Sequence, residues 1–160
     1  MPVFRHLLFK SLLLAGVALM FVPAVAATDT VPFSVSHAWI RWLPGNLPLA
    51  GYATLENDTS EARILVAASS PAFKRIEFHR SMEMHGMKGM DHMMGGMSHM
   101  KHLKSVTVPA HGTFRFGPGA YHLMMWRSGD IEVGDHVPVT FRFSNGMTMT
   151  VEFAVRGPAG

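Results

Sequence analysis

The chain has no cysteine among its 160 residues. Disulfide bonds are therefore excluded, and so are the thiolate ligands that a blue-copper electron carrier needs beside two histidines. Basic clusters are missing as well. The 14 Lys+Arg and 11 Asp+Glu are scattered along the chain, which argues against a nucleic-acid-binding surface.

The first residues have the three parts of a secretory signal peptide. Arg5 and Lys10 occur without any acidic residue, an apolar run follows over 11–22, and small residues end the segment at Ala26 or Ala27. We predict cleavage after one of these two alanines, with residues 1–26 as the signal peptide and the periplasm as the destination. The apolar run is too short for a permanent membrane span.

Residues 27–160 are predicted to form one all-β domain. Apolar and polar residues alternate over 75–79, 113–116, 139–144 and 148–155, a period typical of half-buried strands. Asn145-Gly146 separates the last two runs, and this dipeptide is a strong hairpin signal. No amphipathic helix stands out. The sequence therefore predicts an antiparallel β-sandwich or a small barrel.

One stretch departs from this pattern. Residues 81–102 contain eight methionines and four histidines but no Leu, Ile, Val, Phe, Tyr or Trp. The glycines make the stretch costly to order, so we expect a mobile connection between two strands over about 82–102. Thioether sulfur selects Cu(I), and imidazole accepts either copper state. The predicted accessory copper ligands are Met82, Met84, His85, Met87, Met90, His92, Met93, Met94, Met97, His99 and His102.

Further candidate ligands lie on strand-like sequence outside this Met/His tract. His79 alternates with Ile76 and Phe78 and should point away from their apolar face. His122 and Met124 are two residues apart, which puts both on one face of a strand with their Cα atoms roughly 7 Å apart. Trp126 shares this face under strict alternation and is placed to shield a bound metal ion.

The spacing of these residues resembles a known family. Met100 is followed by 21 residues and then by His122-Leu123-Met124. The supporting matches, in chain order, are Ala38-Trp39-Ile40-Arg41, Ala67-Ala68-Ser69-Ser70-Pro71-Ala72, Glu77-Phe78-His79, Val108-Pro109-Ala110-His111-Gly112, Pro118-Gly119-Ala120-Tyr121 and Gly134-Asp135-His136-Val137-Pro138. The chain is similar to the periplasmic copper chaperones, PCu(A)C-like proteins, that supply Cu(I) to the dinuclear copper centre of cytochrome c oxidase.

This resemblance implies a cupredoxin-like β-sandwich and a Cu(I) site of His79, Met100, His122 and Met124. It also implies a copper-accepting partner, either cytochrome c oxidase subunit II or another assembly factor, and we expect a monomer. The chain departs from the family in one respect, since about ten residues are inserted between His79 and Met100. Doubling a flexible loop costs only about 0.6 kcal/mol in closure entropy.

The insertion leaves the identity of the completing methionine open. Met90 fits the family's distance from His79, whereas Met100 fits the distance to His122, and Met93, Met94 or Met97 could exchange with it. The tract is also expected to hold a second copper, as Cu(I) or Cu(II).

Two binding functions compete at this point, and an enzyme is not expected. The favoured function is a metallochaperone that captures Cu(I) and passes it to a cuproprotein. The alternative is a copper-sequestering resistance protein without a dedicated acceptor. No Ser/His/Asp arrangement with catalytic spacing is present, and the predicted cleavage leaves no N-terminal histidine for a copper monooxygenase.

Overall fold

The computed structural model describes residues 32–82 and 99–158, which form ten β-strands and no helix. The strands are β1 Phe33–Arg41, β2 Leu49–Asn57, β3 Arg63–Ser69, β4 Phe73–Met82, β5 His99–Leu103, β6 Val106–Val108, β7 Gly112–Phe116, β8 Tyr121–Arg127, β9 His136–Phe143 and β10 Thr148–Arg156. Within this part of the chain, no helix could cross a membrane. The predicted signal peptide and residues 83–98 of the Met/His tract lie outside the described residues.

The strands form a sheet in the order β5-β4-β8-β2-β1-β10-β9-β3-β6, with β7 paired to β2. The fold is a nearly closed all-β sandwich, which confirms the predicted class. One strand pair differs from a purely antiparallel arrangement, because β1 and β10 run parallel. These strands come from opposite ends of the domain, so no hairpin joins them and antiparallel pairing is not imposed.

The predicted alternation and hairpin are both present in β9 and β10. Val139, Phe141 and Phe143 are buried in the shared core. Gly146 has a φ of +86°, a left-handed conformation that glycine adopts without steric cost. Phe143 N–H donates to Met147 O at 2.9 Å and closes the turn.

The strands β4 and β8 present two chemically different faces. Phe78, Leu123 and Met125 are buried in the core, so alternation directs the residues between them to the outer face. Those residues include His79 and His122, which the register pairs directly across the two strands. The core therefore fixes the outer-face positions of both imidazoles.

The two ends of the predicted mobile connection belong to strands in this structure, and its middle lies outside the described residues. Met82 is the last residue of β4, and His99–Leu103 form β5, which pairs with β4 along its free edge. This stretch has no β-branched or aromatic residue, so its intrinsic strand preference is weak. Backbone pairing to β4 supplies the order, since strand formation depends on neighbouring strands more than on intrinsic preference.

Asn57, the last residue of β2, has a fully buried polar side chain. Its Nδ2 donates to Glu61 O at 2.8 Å and to Pro109 O at 2.9 Å. Its Oδ1 accepts from Thr59 N at 3.1 Å and from Thr59 Oγ1 at 2.7 Å. This amide thus connects β2 to two loops with all of its hydrogen-bonding capacity used.

Candidate metal centre

Three histidines form a row across strands β5, β4 and β8. The register pairs His79 with His102 on one side and with His122 on the other. The ring centroid of His79 lies 5.6 Å from that of His102 and 5.8 Å from that of His122. Two imidazole nitrogens bound to one metal ion at about 2 Å place their ring centroids up to roughly 6 Å apart. Either pair is thus within reach of a single metal ion.

His79 lies in the middle of the row, and its two ring nitrogens differ. Nε2 lies 3.0 Å from Glu77 Oε2. Nδ1 is buried and has no hydrogen-bond partner among residues 32–82 and 99–158. Buried nitrogen atoms are nearly always paired in folded proteins, so the unpaired Nδ1 is a donor available to a metal ion.

His122 is the most buried of the three imidazoles, at 7% exposure. Burial lowers its pKa below the ordinary histidine value, and the neighbouring His79 adds to this, while a backbone hydrogen bond with Ala120 opposes it. A neutral imidazole is the form that ligates metal. Its position in the sheet therefore keeps His122 ready to bind at neutral pH.

Two of the predicted thioethers lie on the same outer face. Met124 stands across from Glu77 in the register and follows His122 by two residues. Met100 stands across from Ser81 and precedes His102 by two residues. Met124 is half-buried and Met100 is 49% exposed. The row of imidazoles is thus flanked by one shielded and one accessible sulfur atom.

The structure thus brings together the four residues of the predicted principal site, His79, Met100, His122 and Met124, on one sheet face. It adds His102, which the sequence suggested only as an accessory ligand. The spacing of two residues between Met100 and His102 puts both on one face only if this segment is a strand. The sequence did not predict that strand.

The remaining tract candidates are separated from this face or fall outside the described residues. Met82 is three positions from His79, so alternation puts it on the opposite face, where it is 49% exposed. His99 pairs with Met82 through the backbone. The other accessory candidates, including Met90 as the alternative completing methionine, lie outside the described residues: Met84, His85, Met87, Met90, His92, Met93, Met94 and Met97.

Sequence reasoning missed the connected groups that surround His79. Arg75 Nε lies 3.1 Å from Glu77 Oε1, and the Arg75 guanidinium stands 3.8 Å from the ring centroid of Trp126. The predicted shielding residue Trp126 is therefore stacked on Arg75, with its ring 6.5 Å from that of His79. The alternation of Arg75, Glu77 and His79 was visible in the sequence, but their contacts were not.

The donor set suits a soft metal ion held on an open face. Within residues 32–82 and 99–158, no three His, Cys, Asp or Glu side chains converge to hold a metal ion. The histidines are instead spread in a line, as a sheet face requires, and the additional donors beside them are thioethers, which favour Cu(I). A cavity of about 430 Å³ is lined elsewhere, by residues that include Lys74, Arg127 and Asp130.

The fold is similar to that of solved PCuAC domains. The copper-bound PCuAC domain from PmoF2 matches with a TM-score of 0.61 and 19% identity, over 79% of this chain and 94% of that domain. The apo PCuAC domain from PmoF1 matches with a TM-score of 0.60 and 20% identity, over 79% and 95%. The Cu(I)-bound solution structure of DR1885 from Deinococcus radiodurans matches with a TM-score of 0.60 and 26% identity, over 82% and 83%.

Sequence comparison assigns the family. Residues 33–155 match the family described as "Putative lipoprotein LpqE-like". A protein of Leifsonia xyli subsp. xyli (strain CTCB07), "Putative lipoprotein Lxx21020", is 29% identical over 127 residues, which cover 79% of this chain and 70% of that protein. The chain belongs to the LpqE-like family.

Proposed function

We propose that this protein is a periplasmic metallochaperone that binds Cu(I) and transfers it to a cuproprotein. The observation that carries the proposal is the sheet face on which the ring centroids of His79 and His122 lie 5.8 Å apart, with Met124 beside them. On this face, Nδ1 of His79 is buried without a hydrogen-bond partner among the residues that the structure describes. Two imidazoles and one or two thioethers form a donor set that prefers Cu(I). Copper-bound relatives of the same fold support this assignment.

The exposure of the site supports transfer rather than permanent storage. Met100 is 49% exposed and His102 is exposed on the edge strand β5. A partner's ligands can approach the ion from this side and replace these donors one at a time. The buried His122 would hold the ion until the exchange is complete. No step requires a thiolate, which in an exported protein could be lost to oxidation.

The acceptor and location follow from the resemblance and from the family. Cytochrome c oxidase subunit II, or another factor in its assembly, is the proposed recipient. Lipoprotein names among the relatives support export, in agreement with the signal peptide proposed for residues 1–26. We propose a binding protein without enzymatic activity, and the tract as an accessory site for a second copper.

The test is a Cu(I) titration against a chromogenic chelator. The wild type is compared with the double variant His122→Ala/Met124→Ala and with a variant that lacks residues 85–97. We expect the double variant to lose the tightest ion, with an affinity loss of 100-fold or more, about 2.7 kcal/mol, and the deletion to keep it. The matched control is His136→Ala/Met149→Ala, which removes the same residue types from strands β9 and β10, outside both the donor row and the Met/His tract.

Transfer is measured separately, by mixing copper-loaded protein with the apo copper domain of cytochrome c oxidase subunit II. Appearance of the dinuclear centre's absorption supports the chaperone function. If no tight site exists, or if both variants lose only part of the total copper bound, sequestration is the better description. The length of the Met/His tract favours that alternative.

A further inference from the structure

The environment of His79 specifies which of its nitrogens carries the hydrogen. A neutral imidazole has one N–H donor and one acceptor nitrogen. Glu77 Oε2 lies 3.0 Å from His79 Nε2, and an ionised carboxylate can only accept a hydrogen bond. Arg75 Nε lies 3.1 Å from Glu77 Oε1, and this ion pair favours the ionised carboxylate. Nε2 therefore carries the hydrogen.

The carboxylate of Glu77 is itself held in place from its other side. Arg75 forms an ion pair with Glu77, with 3.1 Å between Nε and Oε1, and the Arg75 guanidinium is stacked on Trp126 with 3.8 Å to the ring centroid. The four side chains thus form a chain of contacts from Trp126 through Arg75 and Glu77 to His79. Since all four positions belong to the paired strands β4 and β8, the backbone register fixes the spacing of this chain.

The opposite nitrogen of His79 is left with a free lone pair. Nδ1 is buried and has no hydrogen-bond partner in the described part of the chain, and the rings on either side of His79 are those of His102 and His122. An apolar residue would avoid the cost of burying an unpaired polar atom. A metal ion would use this lone pair.

We infer that Glu77 is a positioning residue of the copper site, which holds His79 in the Nε2–H tautomer so that copper binds at Nδ1. This inference rests on the proposed copper-binding function. A carboxylate is a hard donor that Cu(I) does not favour, so Glu77 acts through His79 rather than on the metal. Carboxylates in this position orient the imidazole ring and raise its basicity as a ligand.

The tautomer is tested in the metal-free protein by ¹⁵N NMR of the histidine rings at about pH 8, where an ordinary imidazole is neutral. We expect His79 to show a protonated Nε2 and an unprotonated Nδ1 in the wild type. Glu77→Gln should keep this tautomer, because the amide oxygen still accepts from Nε2–H. Glu77→Ala should give a mixture of the two tautomers. A protonated Nδ1 in the wild type would overturn the inference.

The second measurement is the Cu(I) affinity of the same proteins. We expect Glu77→Ala to lower it by 10- to 100-fold, the usual effect of removing a group that orients a metal-ligating histidine, and Glu77→Gln to restore a substantial part of this loss. The control is Glu152→Ala, which removes the same charge from an exposed position on β10. An equal loss in the Gln and Ala variants would point to the charge alone and contradict positioning.

Addition of Cu(I) to the labelled wild type completes the test. We expect the Nδ1 signal of His79 to shift and the Nε2–H signal to persist. Tight copper binding with a shift at Nε2 overturns the inference and leaves the proposed function standing. Absence of tight copper binding in the wild type overturns the proposed function, while the tautomer in the metal-free protein is still measured.

Discussion

Two shielded polar side chains of this sheet, Asn57 in β2 and His79 in β4, differ in how completely they are hydrogen-bonded. Asn57 is fully buried and has both amide atoms hydrogen-bonded to two surrounding loops. His79 has one nitrogen paired with Glu77, and the other is buried without a partner within residues 32–82 and 99–158. The hydrogen-bonded amide of Asn57 thus connects parts of the fold, whereas the Nδ1 atom of His79 remains available to a ligand.

The largest effect, on the free energy of unfolding, should come from removing the hydrogen-bonded side chain of Asn57. Asn57→Ala leaves the carbonyl oxygens of Glu61 and Pro109 and the groups of Thr59 without their partner. We expect the free energy of unfolding to fall by about 3 kcal/mol, because each buried group left unpaired costs about 1–3 kcal/mol. Chemical denaturation measures this, with the exposed Asn46→Ala as control. A change in Cu(I) affinity of the folded variant would contradict the separation of the two regions.

A substitution at His79 should affect Cu(I) affinity more than the free energy of unfolding. His79→Leu removes an unpaired buried nitrogen, so the unfolding free energy should stay the same or rise by up to about 1 kcal/mol. Cu(I) affinity should fall at least tenfold, about 1.4 kcal/mol. Denaturation and chelator competition on one preparation give both values. A clear loss of stability would show that His79 is a structural residue like Asn57.

The pH dependence of stability should distinguish His122 from Asn57, which does not titrate. Burial lowers the pKa of His122 in the folded protein, so the unfolded chain binds more protons below the ordinary histidine value of about 6.5. The free energy of unfolding should therefore be fully retained above that pH and decline as the pH falls from there to the lowered, folded-state pKa. Denaturation over about pH 8 to 5 should show a shallower decline in His122→Gln, and identical curves would refute the burial effect.

The smallest effects should come from exchanging single thioethers for an apolar isostere. Met124→Leu and Met100→Leu each remove one sulfur donor with little change in volume. We expect each to lower Cu(I) affinity by a few-fold, about 1 kcal/mol or less, with unchanged stability. Met149→Leu is the matched control, because Met149 is a half-buried methionine on β10, outside the donor row and the Met/His tract. An equal loss of Cu(I) affinity in the control would show that the effect is not specific to the donor row.

Local pattern predicted much of the fold and part of the site. Period-two alternation predicted β9 and β10, because side-chain direction in a strand depends only on position along the chain. The Asn145-Gly146 dipeptide predicted the hairpin between them. The same rule put His122 and Met124 on one face of β8. It did not give β5, since Met100 and His102 occur in a stretch with weak strand preference that is ordered by pairing with β4.

The amino-acid sequence by itself determined the all-β class, the absence of thiolate chemistry and the presence of thioether and imidazole donors. The tertiary structure decided which donors share a face. The placement of His102, His79 and His122 in one row depends on the register of three strands, and the pairing of Glu77 with Nε2 rather than Nδ1 depends on a ring orientation. Both are set by backbone pairing and core packing between residues distant in the chain, which no local pattern of residues records.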